Sequence, residues 1–135
     1  MRIIALLFAF LIVSVSPAVA GDDVAAAQGI IRSQAEAFAR DDAAAAYAYA
    51  APEIHELYPQ ADAFLGMVAH SYAPVYRHKS FEFGEAVSAD GKIAQQVHIV
   101  DADGVPWEAL YTLEQQGDGS LKISGCALIK TGQGV

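Results

Sequence analysis

Arg77 stands directly after Tyr76, where a helical stripe of apolar residues gives way to strand-like alternation. An arginine beside aromatic rings can grip a carboxylate through two parallel N–H···O bonds while the rings pack on the rest of the ligand. Tyr72, Tyr76, Trp107 and Tyr111 complete this candidate ligand-binding set, whose ligand would be a small amphipathic or acidic molecule. The same residues admit a purely structural reading. Tyrosine and tryptophan bodies fill a core with their polar tips at its edge, and Arg77 pairs with a carboxylate on a helix.

Acid–base chemistry in an apolar cavity needs a carboxylate base faced by a donor such as tyrosine or a protonated aspartate. The carboxylates to weigh are Asp41, Asp42, Glu82 and Glu108. Asp41-Asp42 falls at a break between helical stretches, where short acidic side chains cap free amides. Glu82 and Glu108 alternate with apolar residues, as solvated strand positions do. None sits among apolar residues on an inward face, so no catalytic residue is assigned.

The histidines are His55, His70, His78 and His98. His55-Glu56 opens like a zinc-protease helix, but the position for the second histidine is Pro59. His70 and His78 straddle Pro74, and neither a metal nor another cofactor is expected. Cys126 is the one cysteine, which excludes an intrachain disulfide and a four-cysteine zinc site. As a nucleophile it would need a nearby base and a depressed pKa, and His98 shares its class of alternating positions. Between Gly125 and Ala127 it also fits the description of a small buried hydrophobe.

The elements that must position these residues follow from periodicity. Val24, Ala27, Ile31, Ala35 and Phe38 recur at steps of three and four and predict a helix after Asp22-Asp23, with Gln28, Arg32, Glu36 and Arg40 on its solvated face. An alanine-rich helix over Ala43–Ala51 follows, then a short piece from Glu53 to Tyr58 begun by Pro52 and stopped by Pro59. Asp62 caps a further helix with Phe64, Leu65, Val68 and Tyr72 as its apolar stripe, and Pro74 marks its exit.

Beyond Pro74 the pairs Asp90-Gly91, Asp103-Gly104 and Asp118-Gly119 are turn signals. They divide the second half into strands Phe81–Val87, Lys92–Val100, Trp107–Gln115 and Leu121–Lys130, linked too tightly for parallel crossovers. Alternation puts Phe81, Phe83 and Val87 on one face of the first strand. In the fourth it sets Leu121, Ile123 and Ile129 against Cys126 and Leu128. Helices followed by an antiparallel meander predict an α+β fold, with helices packed on one side of a curved sheet that closes like a cone and leaves an open mouth. The outer face keeps Leu110 and Leu128 as a possible homodimer contact.

The 135 residues carry 16 acidic and 8 basic side chains. That balance repels phosphate backbones and argues against nucleic acid as a partner. Met1-Arg2, the apolar stretch from Ile3 to Val15 and the small residues before Gly21 read as a secretory signal cleaved at about Ala20. The apolar stretch is shorter than the ~20 residues that cross a bilayer. The expected product is a periplasmic or secreted single domain over 21–135, with no membrane span after cleavage.

The run Gln34-Ala35-Glu36-Ala37-Phe38-Ala39-Arg40-Asp41-Asp42, with Ala45-Ala46-Tyr47 and Tyr49-Ala50-Ala51-Pro52-Glu53-Ile54, resembles the helical signature of a family of small exported bacterial proteins, domain of unknown function 4864. Tyr72-Ala73-Pro74-Val75-Tyr76-Arg77, Phe81, Gly91, Trp107, Tyr111 and Ile123-Ser124-Gly125-Cys126 continue the resemblance, which covers roughly Val24 to Ile129. It implies a wider likeness to the cystatin-like roll of nuclear transport factor 2, ketosteroid isomerase and the polyketide cyclases. In that superfamily the cavity holds a small apolar ligand, an acid–base site or nothing, so the fold does not fix function. The expectation is a non-enzymatic protein binding a small molecule or a protein partner at the mouth or outer sheet face. The alternative is a cofactor-free isomerase, cyclase or dehydratase.

Overall fold

The computed structural model describes residues 18–131, with side chains from residue 21 onward. Among the described residues five helices precede four strands: α1 Ala18–Ala39, α2 Ala43–Ala48, α3 Pro52–Leu57, α4 Ala61–Ser71, α5 Ala73–Tyr76, β1 His78–Ala89, β2 Lys92–Asp101, β3 Pro106–Gln115 and β4 Leu121–Lys130. The strands form one antiparallel sheet in the order β1-β2-β3-β4. The fold is α+β. Most of the segment expected from sequence to be a secretory signal, residues 1–17, lies outside the described residues. Among the described residues no helix is long and apolar enough to cross a membrane.

α1 begins at Ala18 rather than after Asp23, so Asp22 and Asp23 lie inside the helix instead of capping it. Alanine on both sides of the acidic pair carries the helix through, since a strong helix former outweighs two weak ones. The inward stripe is the expected one, with Ala27, Ile31, Ala35 and Phe38 all buried. Burying Phe38 alone stabilises the fold by about 1.5–3 kcal/mol. The opposite face is less solvated than its charge suggests. The Gln28 side chain donates to Gln95 Oε1 at 3.1 Å, and the Arg32 guanidinium lies 4.9 Å from the Phe83 ring centre.

The helix ends in a left-handed turn at Asp41, whose φ is 56°. Asp41 N–H donates to the Phe38 carbonyl at 3.0 Å and Asp42 N–H to the Ala37 carbonyl at 2.9 Å. These are the paired bonds of a Schellman motif, with aspartate where glycine is usual. Asp42 then caps α2, its side chain accepting from Ala45 N–H at 3.1 Å.

All three Asp-Gly pairs form the expected turns, with φ of 74° at Gly91, 81° at Gly104 and 87° at Gly119. Along the sheet the register slips three times, first between His78 and Ser80 at the start of β1. In β1, Phe83 pairs with Val97 but Ala86 pairs with Gln95, so Gly84 and Glu85 bulge. In β4, Gly125 pairs with Thr112 but Ile123 pairs with Leu113, leaving Ser124 as the extra residue. An extra residue exchanges the two faces for everything beyond it. Val87 therefore points outward at 68 % exposure instead of sharing a face with Phe83. Cys126 and Leu128 join Ile123 on the helix-facing side, and Ile129 turns out. Leu110 and Leu128 accordingly lie on opposite faces and cannot form one outer patch.

Gln95, fully buried between Ile93 and Val97, secures the bulge at Gly84 and Glu85. Its amide donates to the carbonyls of Gly84 at 3.1 Å, Glu85 at 3.3 Å and Gln96 at 2.8 Å. Its own oxygen accepts from Gln28 on α1. A buried amide that meets acceptors and a donor in this way avoids the cost of an unpaired polar group.

Candidate functional site

The helices do not seat flush on the sheet. Between α3, α4 and the β3–β4 pair lies a cavity of about 440 Å³, inside the ~300–1,000 Å³ range of small-ligand pockets. Tyr111, Ile123 and Cys126 form its floor, Phe38, Phe64 and Val68 its wall, and Leu57, Met67 and Tyr72 its outer parts. Each part follows from local structure. α4 turns Phe64 and Val68 inward four residues apart, and the β4 bulge turns Cys126 in beside Tyr111.

The outer side is held by a hook between α2 and α3. Ala51 N–H donates to the Ile123 carbonyl and Ile123 N–H to the Tyr49 carbonyl, both at 2.8 Å. Lys122 Nζ donates to the Ala48 carbonyl at 2.8 Å. α3 buries none of its residues fully and leaves Leu57 76 % exposed at the cavity edge. Tyr47 anchors it from below. The His55 ring stacks on the Tyr47 ring at 3.7 Å, His55 Nε2–H donates to the Tyr47 carbonyl at 2.8 Å, and the Tyr47 hydroxyl donates to the Tyr58 carbonyl at 2.6 Å.

The ionisable groups at the floor are kept neutral. Burial pushes the Cys126 thiol up to about 12, with a hydrogen bond to Tyr111 offsetting only part of that rise. Tyr111 lies well above an ordinary phenol, because of its burial first and Cys126 second. Burial raises Tyr72 as well, with Cys126 and Tyr58 as its electrostatic neighbours. Among the described residues no carboxylate, histidine, lysine or arginine lines the cavity. The site can shed water from an apolar body and donate hydrogen bonds from hydroxyls. It holds no group that would exchange a proton near neutral pH.

The five residues singled out from sequence fall into three places. Tyr72 and Tyr111 meet at the cavity. Arg77 and Tyr76 do not line it; they clamp the end of α1. Arg77 Nη1 donates to the Phe38 carbonyl at 2.8 Å and the Tyr76 carbonyl at 2.9 Å, while Nη2 donates to Asp41 at 2.9 Å. The Tyr76 hydroxyl donates to the same Asp41 oxygen, and the guanidinium lies 4.4 Å from the Tyr76 ring centre. These bonds, Tyr76 first and Arg77 second, hold the Asp41 carboxyl below the usual carboxylate range. Trp107 sits apart, its indole N–H donating to Asp101 at 2.9 Å within the β2–β3 hairpin.

His98 faces outward opposite Glu82 and Glu108, on the other side of the sheet from Cys126. Among the described residues no three His, Cys, Asp or Glu side chains are placed to share a metal ion. Tyr58, Phe64 and Met67 belong to the cavity but were not singled out from sequence. Phe64 and Val68 at helical spacing gave the direction of the wall, but no sequence signal showed that α4 stands off the sheet.

A family model described as "Domain of unknown function (DUF4864)" matches residues 20–134. No curated protein and no solved structure matches the chain.

Proposed function

We propose that this chain, which belongs to the DUF4864 family, binds a small and largely apolar molecule between its helices and its sheet without converting it. The observation that carries this reading is the 440 Å³ cavity itself, walled by Phe38, Phe64 and Val68 and floored by a phenol and a thiol that burial keeps protonated. Apolar walls with a few convergent polar atoms are the usual composition of ligand pockets. An isomerase, cyclase or dehydratase would need a base at that floor, and the groups there are weak acids driven further from ionising.

Three further parts of the reading rest on other observations. Export to the periplasm or beyond is supported by the charged start, apolar stretch and small residues of Met1–Ala20. A cone-shaped domain with its mouth at α3 is supported by the bulges at Gly84–Glu85 and at Ser124, since bulges bend the strands that carry them. A homodimer through the outer sheet face would bury the exposed side chains Val87, Leu110 and Ile129.

Native mass spectrometry of the protein recovered from its own compartment tests the cavity, with Met67→Trp as a variant that fills it from the outer side. A bound small molecule on the natural protein and none on the variant, with unchanged circular dichroism, is the expected result. Equal retention by both would place the ligand elsewhere, and the reading would fall. Trp107 does not line the cavity, so its emission is not the signal to follow.

A further inference from the structure

Resting on the cavity as a ligand site, we infer that its ligand is uncharged and is held through a hydrogen-bond acceptor, a carbonyl oxygen, rather than through a carboxylate. The polar atoms of the cavity divide into those already engaged and those left open. Ser124 Oγ donates to the Thr112 carbonyl at 3.1 Å. The Gln34 amide donates to the Ala46 carbonyl at 3.1 Å. Tyr111 is engaged with Cys126, its direct partner across β3 and β4.

Among the described residues the hydroxyls of Tyr58, Ser71 and Tyr72 also line the cavity and have no such partner, and of these Tyr72 is the one with the floor thiol Cys126 as a neighbour. Burial and the neighbouring Cys126 and Tyr58 raise its phenol, with no hydrogen bond contributing. Yet among the described residues no buried side-chain oxygen or nitrogen lacks a partner. The Tyr72 oxygen is therefore not sealed from solvent, on a half-buried side chain that lines the cavity. A phenol that stays protonated across the neutral range presents an O–H donor, and a phenol donates more strongly than it accepts. Its natural complement is a carbonyl oxygen.

A carboxylate would meet different conditions. It would leave its hydration shell for apolar walls and find no cation among the described residues that line the cavity. Arg77, which a carboxylate would need, has its guanidinium committed to Phe38, Tyr76 and Asp41. The donor set thus selects by charge as well as by shape. A fatty acid would be rejected where a ketone, aldehyde or ester of the same length is accepted.

The test is calorimetric titration of the exported protein at neutral pH with three ligands of equal chain length: a medium-chain methyl ketone, the corresponding carboxylate and the corresponding alkane. The ketone should bind at least about tenfold tighter than either of the others. Tyr72→Phe should bring the ketone down to the alkane's affinity and leave the alkane unchanged, which also shows that the variant is folded. A carboxylate that binds as tightly as the ketone would overturn the inference, and so would a ketone affinity indifferent to Tyr72→Phe. In both cases alkane binding that Met67→Trp abolishes would leave the cavity reading standing. Failure of all three ligands to bind would overturn both.

Discussion

Tyr111 and Cys126 face one another across β3 and β4 on the helix-covered side of the sheet, although strict alternation along β4 puts Cys126 on the side opposite Ile123. The residue responsible is Ser124, the extra residue of the bulge. It donates its hydroxyl to Thr112 on the neighbouring strand and lets Ile123 and Cys126 both point inward. One inserted residue thereby supplies the cavity floor with its phenol–thiol pair.

The thiol should be unreactive in the native fold for a stated reason. With its pKa pushed up to about 12 by burial, the thiolate fraction at pH 8 is small and grows about tenfold per pH unit. Labelling by a small maleimide should keep accelerating up to pH 10, where an ordinary cysteine has levelled off. A rate that saturates near pH 9 would show a thiol that is not desolvated.

Gln95 is the residue on which the Gly84–Glu85 bulge depends. Gln95→Leu keeps the volume but leaves the Gly84 and Glu85 carbonyls and the Gln28 amide without their partner. The expected loss is about 2–3 kcal/mol in a urea titration, against about 1 kcal/mol for Gln28→Ala. The two changes should couple rather than add, because they remove members of one network. A Gln95→Leu variant as stable as the parent would mean that the bulge needs no buried amide.

Much of this architecture was legible in the sequence, and the strand faces that were not share one physical origin. Helix faces were read from Ile31, Phe38, Phe64 and Val68, and hairpins from three Asp-Gly pairs, because each signal is local and repeats. A strand face is not local in the same sense. It is inherited from residue to residue, so one unrecognised bulge inverts every later assignment, as happened at Val87 and Cys126. Two clues were present in Gly84 within a strand and in Gln95 at a position framed by Ile93 and Val97. Tyr72 and Tyr111 could be named from their type. That Arg77 would turn to the end of α1 depended on a left-handed Asp41, which no periodicity reports.

The clamp on Asp41 has a pH signature. Its carboxyl lies below the ordinary value through bonds from Tyr76 and then Arg77, so the stabilisation it gives is complete above the unfolded value of about 3.9. It is lost as pH falls through the lower, folded value. Carbon-detected NMR should place the Asp41 midpoint below 3.9, and Tyr76→Phe should raise it. Asp41→Asn should flatten the acid limb of the stability curve, leaving the parts due to Asp101 and Asp118, whose carboxyls are also lowered by local hydrogen bonds. A midpoint at the ordinary value in the parent would show that the clamp is not formed in solution.

The exchange of faces in β4 separates neighbouring apolar residues by function. Leu128 packs against the core while Ile129, one residue on, is 62 % exposed. Leu128→Ala should cost about 2 kcal/mol, the low end for a truncated core leucine because the site is only partly buried. Ile129→Thr should stay within ~0.5 kcal/mol, as surface changes do, when unfolding is followed at low micromolar concentration. If a second copy covers the outer face, Ile129→Thr gains a cost that grows with protein concentration, and sedimentation shows the dimer weakened. A large, concentration-independent loss for Ile129→Thr, with little for Leu128→Ala, would restore uninterrupted alternation and remove the bulge that places Cys126 at the cavity floor.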